Sequence, residues 1–418
     1  MDFVTLGRPQ APMAKELSIS HQGELRSLSN AEIINAFEQD IAIAENFRSQ
    51  IKKFSIDFID IAPFVDPSRP DSKQALELYA QYNAMRSNSS ANSLKSLMQV
   101  SKQWIEFNCS IGNFPFPGNP TVLATYLQRL EAGGAKLATI KAHVSQISKL
   151  HKTLNLANPC HSEIVSSHVE LITEAMFESE DPRAESKQAS PFRHEHLKLV
   201  KELYEDRDTL EHARDLAFLC TAYATSLRSE ELARIKVKHL TYNDDQSLSL
   251  ERFKAKNKKG NLRGREIPHS YAKHITHYFE MAEFESTENY LFGPLSKSKS
   301  KIIKNESPIS TKSLSRIFER AYLNLNPTLK KRKEVLSTQL GKEAPKALYA
   351  PNLNIWTAHS ARVGSVVDAY ENRRKLGLTD ADLMAMGDWT TLRMVMIYTR
   401  NAREKETGNS RRLQMLEL

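Results

Sequence analysis

From residue 73 to residue 180 this chain presents one helix-forming segment after another, with no strand pattern between them. KQALELYAQYNAMR, SLKSLMQVSKQWIEFNCS, TVLATYLQRLEA and LATIKAHVSQISKLHKTLN each repeat apolar residues at three- and four-residue spacing, which gathers them on one side of a helix. Gly133-Gly134 closes the third, and turns carrying Asn, Gly and Pro separate the others. Connections this short make the helices pack as a compact bundle. Upstream, residues 30–53 show the same periodicity at Ile33, Ile34, Phe37, Ile41 and Ile43, with Asn30 as a cap, whereas residues 1–25 are polar and read as poorly ordered. The proline-bearing APFVDPSRPDS (62–72) breaks the chain before the bundle. After it, ESEDPRAESKQASPF (178–192) is charged, small and proline-flanked, a linker composition. The expected organisation is an N-terminal extension over 1–70, partly disordered with one helix, then a helical bundle over 71–180, a linker over 181–192 and a second domain over 193–418.

The second domain starts with the helical HEHLKLVKELYE and RDLAFLCTAYATSL. A β-hairpin is expected at 247–268, its strands SLSLERF and GREIP flanking the turn-rich Lys256-Asn-Lys-Lys-Gly260-Asn. Further helices complete the chain, so the fold class is mainly α with one small antiparallel β-sheet or hairpin. No stretch approaches the roughly 18 apolar residues of a membrane span, and the N-terminus lacks the pattern of a signal peptide. Cys109, Cys160 and Cys220 are odd in number and widely spaced, which suits a reducing cytoplasm. The net charge of +8 divides into −3 for residues 1–190 and +11 for residues 191–418. A solvated basic face would account for that excess; so would a polyanionic partner, since each neutralised phosphate releases counterions.

The last sixty residues hold the chemistry. His359-Ser-Ala-Arg362, Gly387-Asp-Trp389 and Tyr398 are groups suited to holding and attacking a phosphodiester, and the tyrosine could leave a durable bond to DNA. Each has a plainer reading. His359 and Arg362 share a helix side at i and i+3; Arg362 falls off the apolar stripe of Val363, Val366, Val367 and Tyr370, while His359 lies near its edge and could be a satisfied core histidine. Thr379 can cap ADLMAM and Gly387 can end it. In LRMVMIYTR the stripe is Leu392, Val395 and Met396, and Tyr398 lies off it. Further upstream, Ser229 can cap a helix EELARIKVKHL with Glu230 and Glu231 in its first turn; Arg228 then precedes it, in isolation an ordinary surface arginine. His269, His274 and His277 lack cysteine or acidic company, and there is no GxxxxGK[ST] loop, so neither a metal nor any other cofactor is expected.

Taken in order, Arg228-x-x-Glu231, a lysine hairpin, His359-Ser-Ala-Arg362, Gly-x-Trp389 and Tyr398 nine positions later resemble the tyrosine site-specific recombinases. The strings HSARVG (359–364), VMIY (395–398) and RNAREKETG (400–408) strengthen the likeness, which covers roughly residues 75–418. The chain departs from it in the N-terminal region and in a long basic insert between Ile317 and Trp356, which includes KKRKEVLSTQLGKEAPK (330–346). Type IB topoisomerases and telomere resolvases share the arginine pair and tyrosine, but the HSARVG string and the Gly-Asp-Trp to tyrosine spacing favour recombinases; a non-catalytic DNA-binding protein on this fold is the other alternative.

The resemblance implies a 3′-phosphotyrosyl intermediate formed by Tyr398 and passage through a Holliday junction. Arg228 and Arg362 would bind the non-bridging oxygens with planar charged forks. His359 would bond the phosphate or take a proton, Trp389 would donate to a phosphate oxygen, and Glu231 would orient the array. The departing 5′-oxygen needs a proton, for which the hairpin offers Lys254, Lys256, Lys258 and Lys259; counting back from Ile267-Pro268 favours Lys256. On the bundle, Lys141 and Ala142 fall at base-proximal positions of the helix carrying His143, Gln146, Lys149 and Lys152; Lys312 and Arg316 fall on a helix opened by Ser310 that enters the major groove. The implied partners are double-stranded DNA with inverted-repeat sites and further copies of this chain, a dimer on each site and a tetramer at synapsis, with RRLQMLEL (411–418) docking into a neighbour. A bacterial, phage or plasmid origin follows, with the protein in the cytoplasm.

Overall fold

The computed structural model describes Glu45 to Glu404, apart from residues 47, 56–57, 87–88, 186–187, 208, 252–263 and 304–305. Most of the expected 30–53 helix, the lysine turn with Lys256, and the 411–418 tail lie outside the described residues. The chain divides into two compact units, the first ending at Ser186 and the second beginning at Lys187.

In the first unit, α1 (Ser72–Met85), α2 (Ala91–Ser110), α3 (Pro120–Ala132), α4 (Leu137–Leu154) and α5 (Glu163–Glu178) enclose Trp104, Ile105, Leu123, Leu127, Ile140 and Ile147, all essentially without solvent contact. Local chemistry sets the ends. The Ser90 hydroxyl accepts the Ser93 N–H to start α2; Asn119 accepts from Thr121 to start α3, where Pro120 takes the first helical position; and Asn155 ends α4 at φ 52°. Ile59, Ile61, Phe64 and Val65 belong to the same core, so the segment ahead of residue 71 is built into the bundle. His143, expected beside Lys141 on a DNA-facing side, instead points inward and bonds the Tyr126 hydroxyl at 2.9 Å.

In the second unit, α6 (His194–Glu205) packs against the buried α7 (Leu210–Thr225), which also meets α9 (His269–Ala282) and α13 (Ser360–Glu371). The sheet has the order β1 (Leu240–Tyr242), β2 (Leu248–Leu250), β3 (Arg265–Ile267), antiparallel throughout, with Leu240 opposite Leu250 and Leu248 opposite Ile267. The long helix expected from Ser229 stops after one turn, as α8 (Ser229–Leu232). Beyond it the Val237 N–H donates to the Asn289 carbonyl and the Leu291 N–H to that of Ile235; this pairing captures the β-branched stretch and leads it into β1, an instance of tertiary structure overriding a helical pattern.

The remaining helices are α10 (Thr311–Asn324), α11 (Pro327–Leu340), α12 (Lys346–Tyr349), α13, α14 (Arg373–Leu376), α15 (Asp380–Met386), α16 (Leu392–Tyr398) and α17 (Arg400–Glu404). The basic insert forms α11, which contributes no fully buried residue. Lys333 fastens it, donating to Glu319 at 2.7 Å and to Glu343 at 2.9 Å. Gly364 lets α13 approach the backbone of Phe192, whose N–H donates to the Ser360 carbonyl at 2.9 Å and whose ring stands edge-on to Phe318 and Trp356. No helix of the described residues is long and apolar enough to cross a membrane.

Candidate active site

Five helix ends and one turn of the second unit form the site. Thr379 starts α15 with a reciprocal bond to Asp382, and the helix ends at Gly387. A Cβ on Gly387 would lie 2.4 Å from the Trp389 ring, so the ring folds back over the turn only because that residue is glycine. Asp388 between them holds φ 47°. At the end of α7, Ser226 also takes the left-handed conformation (φ 52°), and its hydroxyl bonds that of Ser365 at 2.7 Å.

Arg362 joins these two places. Its Nη1 donates to the Ser226 carbonyl at 2.6 Å and its Nη2 to the Gly387 carbonyl at 2.7 Å. Its guanidinium lies over the Trp389 ring at 4.8 Å and over the Tyr398 ring at 5.8 Å. The sequence placed Arg362 off the buried stripe; the structure buries it completely (1% exposed), because α13 has protein on both sides and these two carbonyls and two rings replace water. Burial, then repulsion from Arg228, moves its pKa below the ordinary arginine value, against which Tyr398 acts. An arginine keeps its charge in such a setting.

Tyr398 ends α16, and its hydroxyl lies 2.8 Å from His359 Nε2. It is 9% exposed and packs with Val395 and Ala402, whereas Leu392 and Met396 of the expected stripe are exposed. The packing face of this short helix follows the neighbours it meets, Leu383, Val363, Val366 and Trp389, and not the larger apolar row. His359 is half-buried at the N-terminus of α13. Burial, followed by the charges of Arg362 and Arg228, holds its pKa below the usual histidine range, which favours the neutral ring. With Nε2 unprotonated, the Tyr398 hydroxyl donates to it.

Arg228, not Ser229, is the cap residue of α8. The nearly buried Glu231 carboxylate accepts its backbone N–H at 2.8 Å and its Nη1 at 3.1 Å, leaving the half-exposed guanidinium held at one edge. Arg362 Nε and Trp389 Nε1 are buried donors to which the described residues offer no acceptor. Orphaned donors of this kind cost about 1–3 kcal/mol each unless an acceptor enters. Both donors thus belong to residues that pack on the Tyr398 ring, Trp389 with its centroid 4.7 Å away and Arg362 at 5.8 Å.

Of the expected site residues, Arg228, Glu231, His359, Arg362, Trp389 and Tyr398 are gathered here, and Lys256 lies outside the described residues. Lys141 and Ala142 are exposed on α4 of the first unit. Lys312 is exposed in the first turn of α10, which Ser310 caps; Arg316 is exposed too, but pairs with Glu343 of the insert at 3.3 Å. The sequence reading missed Ser226, Arg265, Asp388 and Gln188, whose amide donates to the Tyr398 carbonyl at 2.7 Å. A charged residue within a short strand and an aspartate inside a Gly-x-Trp turn were the available signals for Arg265 and Asp388; Ser226 carried none.

The profile of the phage integrase family matches residues 194–405, half of the chain, and takes in Arg228, Glu231, His359, Arg362, Trp389 and Tyr398. The chain belongs to that family. It is 28% identical over 327 residues to the recombinase Cre of Escherichia phage P1, across 78% of this chain and 88% of Cre. In fold it is similar to the XerH site-specific recombinase bound to a palindromic difH substrate, with a TM-score of 0.51 and 15% identity over 87% of this chain and 95% of that one. The Tn1549 transposon integrase in complex with transposon right end DNA gives the same TM-score and identity over 82% of this chain and 99% of that one. The protein is a tyrosine recombinase, an enzyme of site-specific DNA recombination.

Proposed function

We propose that Tyr398 cuts one strand of double-stranded DNA by attacking a backbone phosphorus. The Tyr398 oxygen bonds to phosphorus, the bond from phosphorus to the 5′-oxygen breaks, and a 3′-phosphotyrosyl link and a free 5′-hydroxyl result. The Tyr398 proton passes to neutral His359, and a hairpin lysine, Lys256 in this reading, protonates the departing oxygen. Arg228, Arg362 and the Trp389 N–H hold the non-bridging oxygens, where charge grows in the transition state. Glu231 acts through Arg228 as an orienting carboxylate. Attack by a 5′-hydroxyl from the partner duplex reverses the step and yields a Holliday junction. Bond energy is kept in the phosphotyrosyl link, so rejoining draws on no ATP, and side chains fill every role above without a metal.

The observation that carries this reading is the Tyr398 hydroxyl held 2.8 Å from His359 Nε2, beside a buried arginine and an indole that each keep one donor without an acceptor. The proposed sites are inverted repeats, each bound by two copies of the chain and paired in a tetramer. Leu392, Met396 and Ile397, exposed on the tyrosine's own helix, give neighbouring copies an apolar surface to meet. Lys141, Ala142, Lys312 and Arg316 are the proposed DNA-facing positions, and the cytoplasm is the proposed compartment.

Incubation with nicked suicide DNA carrying candidate sites tests the mechanism. The wild type is expected to give a covalent adduct on a denaturing gel, and Tyr398→Phe to bind the same DNA without one. A wild type that binds its site yet gives no adduct, or an adduct that survives Tyr398→Phe, overturns the assignment.

A further inference from the structure

Arg265, the first residue of β3, reaches the same two helix ends as Arg362. Its Nε donates to the Thr225 carbonyl at 3.3 Å; its Nη2 lies 3.2 and 3.3 Å from the carbonyls of Ala385 and Met386 and 2.9 Å from the Asp388 carboxylate. Arg362 takes the next carbonyl at each place, Ser226 after Thr225 and Gly387 after Met386. Two guanidiniums thus close the ends of α7 and α15, where helix carbonyls lack partners and the dipole favours a cation. Arg362 continues from there to the rings of Trp389 and Tyr398. The Arg265–Asp388 pair is nearly buried, at 13% and 11% side-chain exposure. Asp388 stands at φ 47°, in the left-handed region that L-residues seldom adopt, and the next residue is Trp389. Whatever holds Asp388 therefore sets the indole and, through the Gly387 carbonyl, the guanidinium of Arg362.

We propose that Arg265 is a positioning residue for strand cleavage: it fixes the Gly387–Trp389 turn through Asp388 and the last carbonyls of α15, and so holds Arg362 at the scissile phosphate. This rests on the reading of Arg362 as a phosphate ligand. Arg265 itself touches no substrate.

The test uses the full chain and two suicide DNAs, one ordinary and one with a methylphosphonate at the scissile position. The methyl group replaces one non-bridging oxygen and removes the charge that Arg362 meets. On ordinary DNA, Arg265→Gln is expected to cut roughly 30- to 100-fold more slowly, the scale of a displacement near 1 Å in a preorganised site, with DNA affinity within about twofold. Asp388→Asn, which keeps the shape and tolerates left-handed backbone, loses roughly tenfold and carries the test should Arg265→Gln unfold. The double variant is no slower than Arg265→Gln alone, because the part proposed for Asp388 runs through Arg265. On the neutral DNA each of these defects, and that of Arg362→Ala, shrinks to under about threefold relative to wild type on the same DNA. Relief of Arg362→Ala with an undiminished defect in the Arg265 and Asp388 variants overturns this proposal alone, since general loosening slows both DNAs alike. Failure to relieve Arg362→Ala overturns the phosphate-ligand reading and this proposal with it.

Discussion

Gly364→Ala is the substitution whose consequence follows most directly from the backbone. A Cβ at that position would stand 1.8 Å from the Phe192 carbonyl oxygen and 2.3 Å from its carbon. Ordinary contact begins at 3.4 Å, so the two segments must separate by 3.4 less 1.8, about 1.6 Å. The obstacle is backbone and cannot rotate aside. Separation breaks the bond from Phe192 N–H to Ser360, worth about 1 kcal/mol, and disturbs the edge-on contacts of Phe192 with Phe318 and Trp356, worth about 0.5–1.5 kcal/mol each. A loss of roughly 2–4 kcal/mol lowers the melting temperature of a unit this size by about 5–15 °C. Because Arg362 lies two residues earlier on the same helix, adduct formation should fall as well, well below the temperature of melting. Circular dichroism and tryptophan fluorescence follow the unfolding, with Trp356 reporting the disturbed contact, and the suicide-DNA assay follows the site. A variant melting within about 2 °C of wild type and cutting at the same rate would refute the close approach and the argument built on it.

Other perturbations test other parts. His151 and His274 are buried, and burial lowers each to a pKa of about 4. Below the ordinary histidine value of 6.5 the unfolded chain takes up more protons than the folded one, so stability should fall steadily from pH 6.5 to about 4 in both units, measured by denaturant melts, and should fall less on the acid side in His151→Gln. Glu231→Gln keeps the shape but weakens the charge-assisted hold on Arg228; cleavage should drop roughly tenfold while DNA affinity stays within about twofold in a gel-shift titration. Lys333→Met removes the cation between Glu319 and Glu343, and amide exchange should accelerate across 327–349 while adduct formation on short DNA is unchanged.

The sequence made the helices legible because each carries its own periodic apolar face and its own end signals: α6 coincides with HEHLKLVKELYE, and Thr379 and Gly387 bound α15 as expected. It misplaced what neighbours decide. The stretch after Leu232 reads as a helix until residues 289–291 pair with it, and the row of Leu392 and Met396 is more apolar than the face that α16 buries. For the site, the identities of the reactive groups could be read from their order, but not which of them are submerged. Nothing in HSAR says that its arginine is enclosed while its histidine stays half-exposed; that depends on carbonyls supplied by residues 226 and 387. Arg265 escaped notice for the same reason, as its partners lie forty residues before it and 120 to 123 after it.

Arg362 uses two of its nitrogens to tie the end of α7 to the end of α15, so the charge that meets phosphate is also a cross-link of the fold. Lysine cannot take its place, having one compact ammonium where the fold needs a planar fork. A lineage that gave up cutting DNA and kept only its grip would face unequal pressures at the two ends of this site. Tyr398 could drift to phenylalanine with its ring still packed, whereas a change at position 362 would cost the tie between the two helix ends as well as the charge. In descendants of this protein, persistence of that arginine would mark selection for the cross-link, and the phenolic oxygen alone would mark a living enzyme.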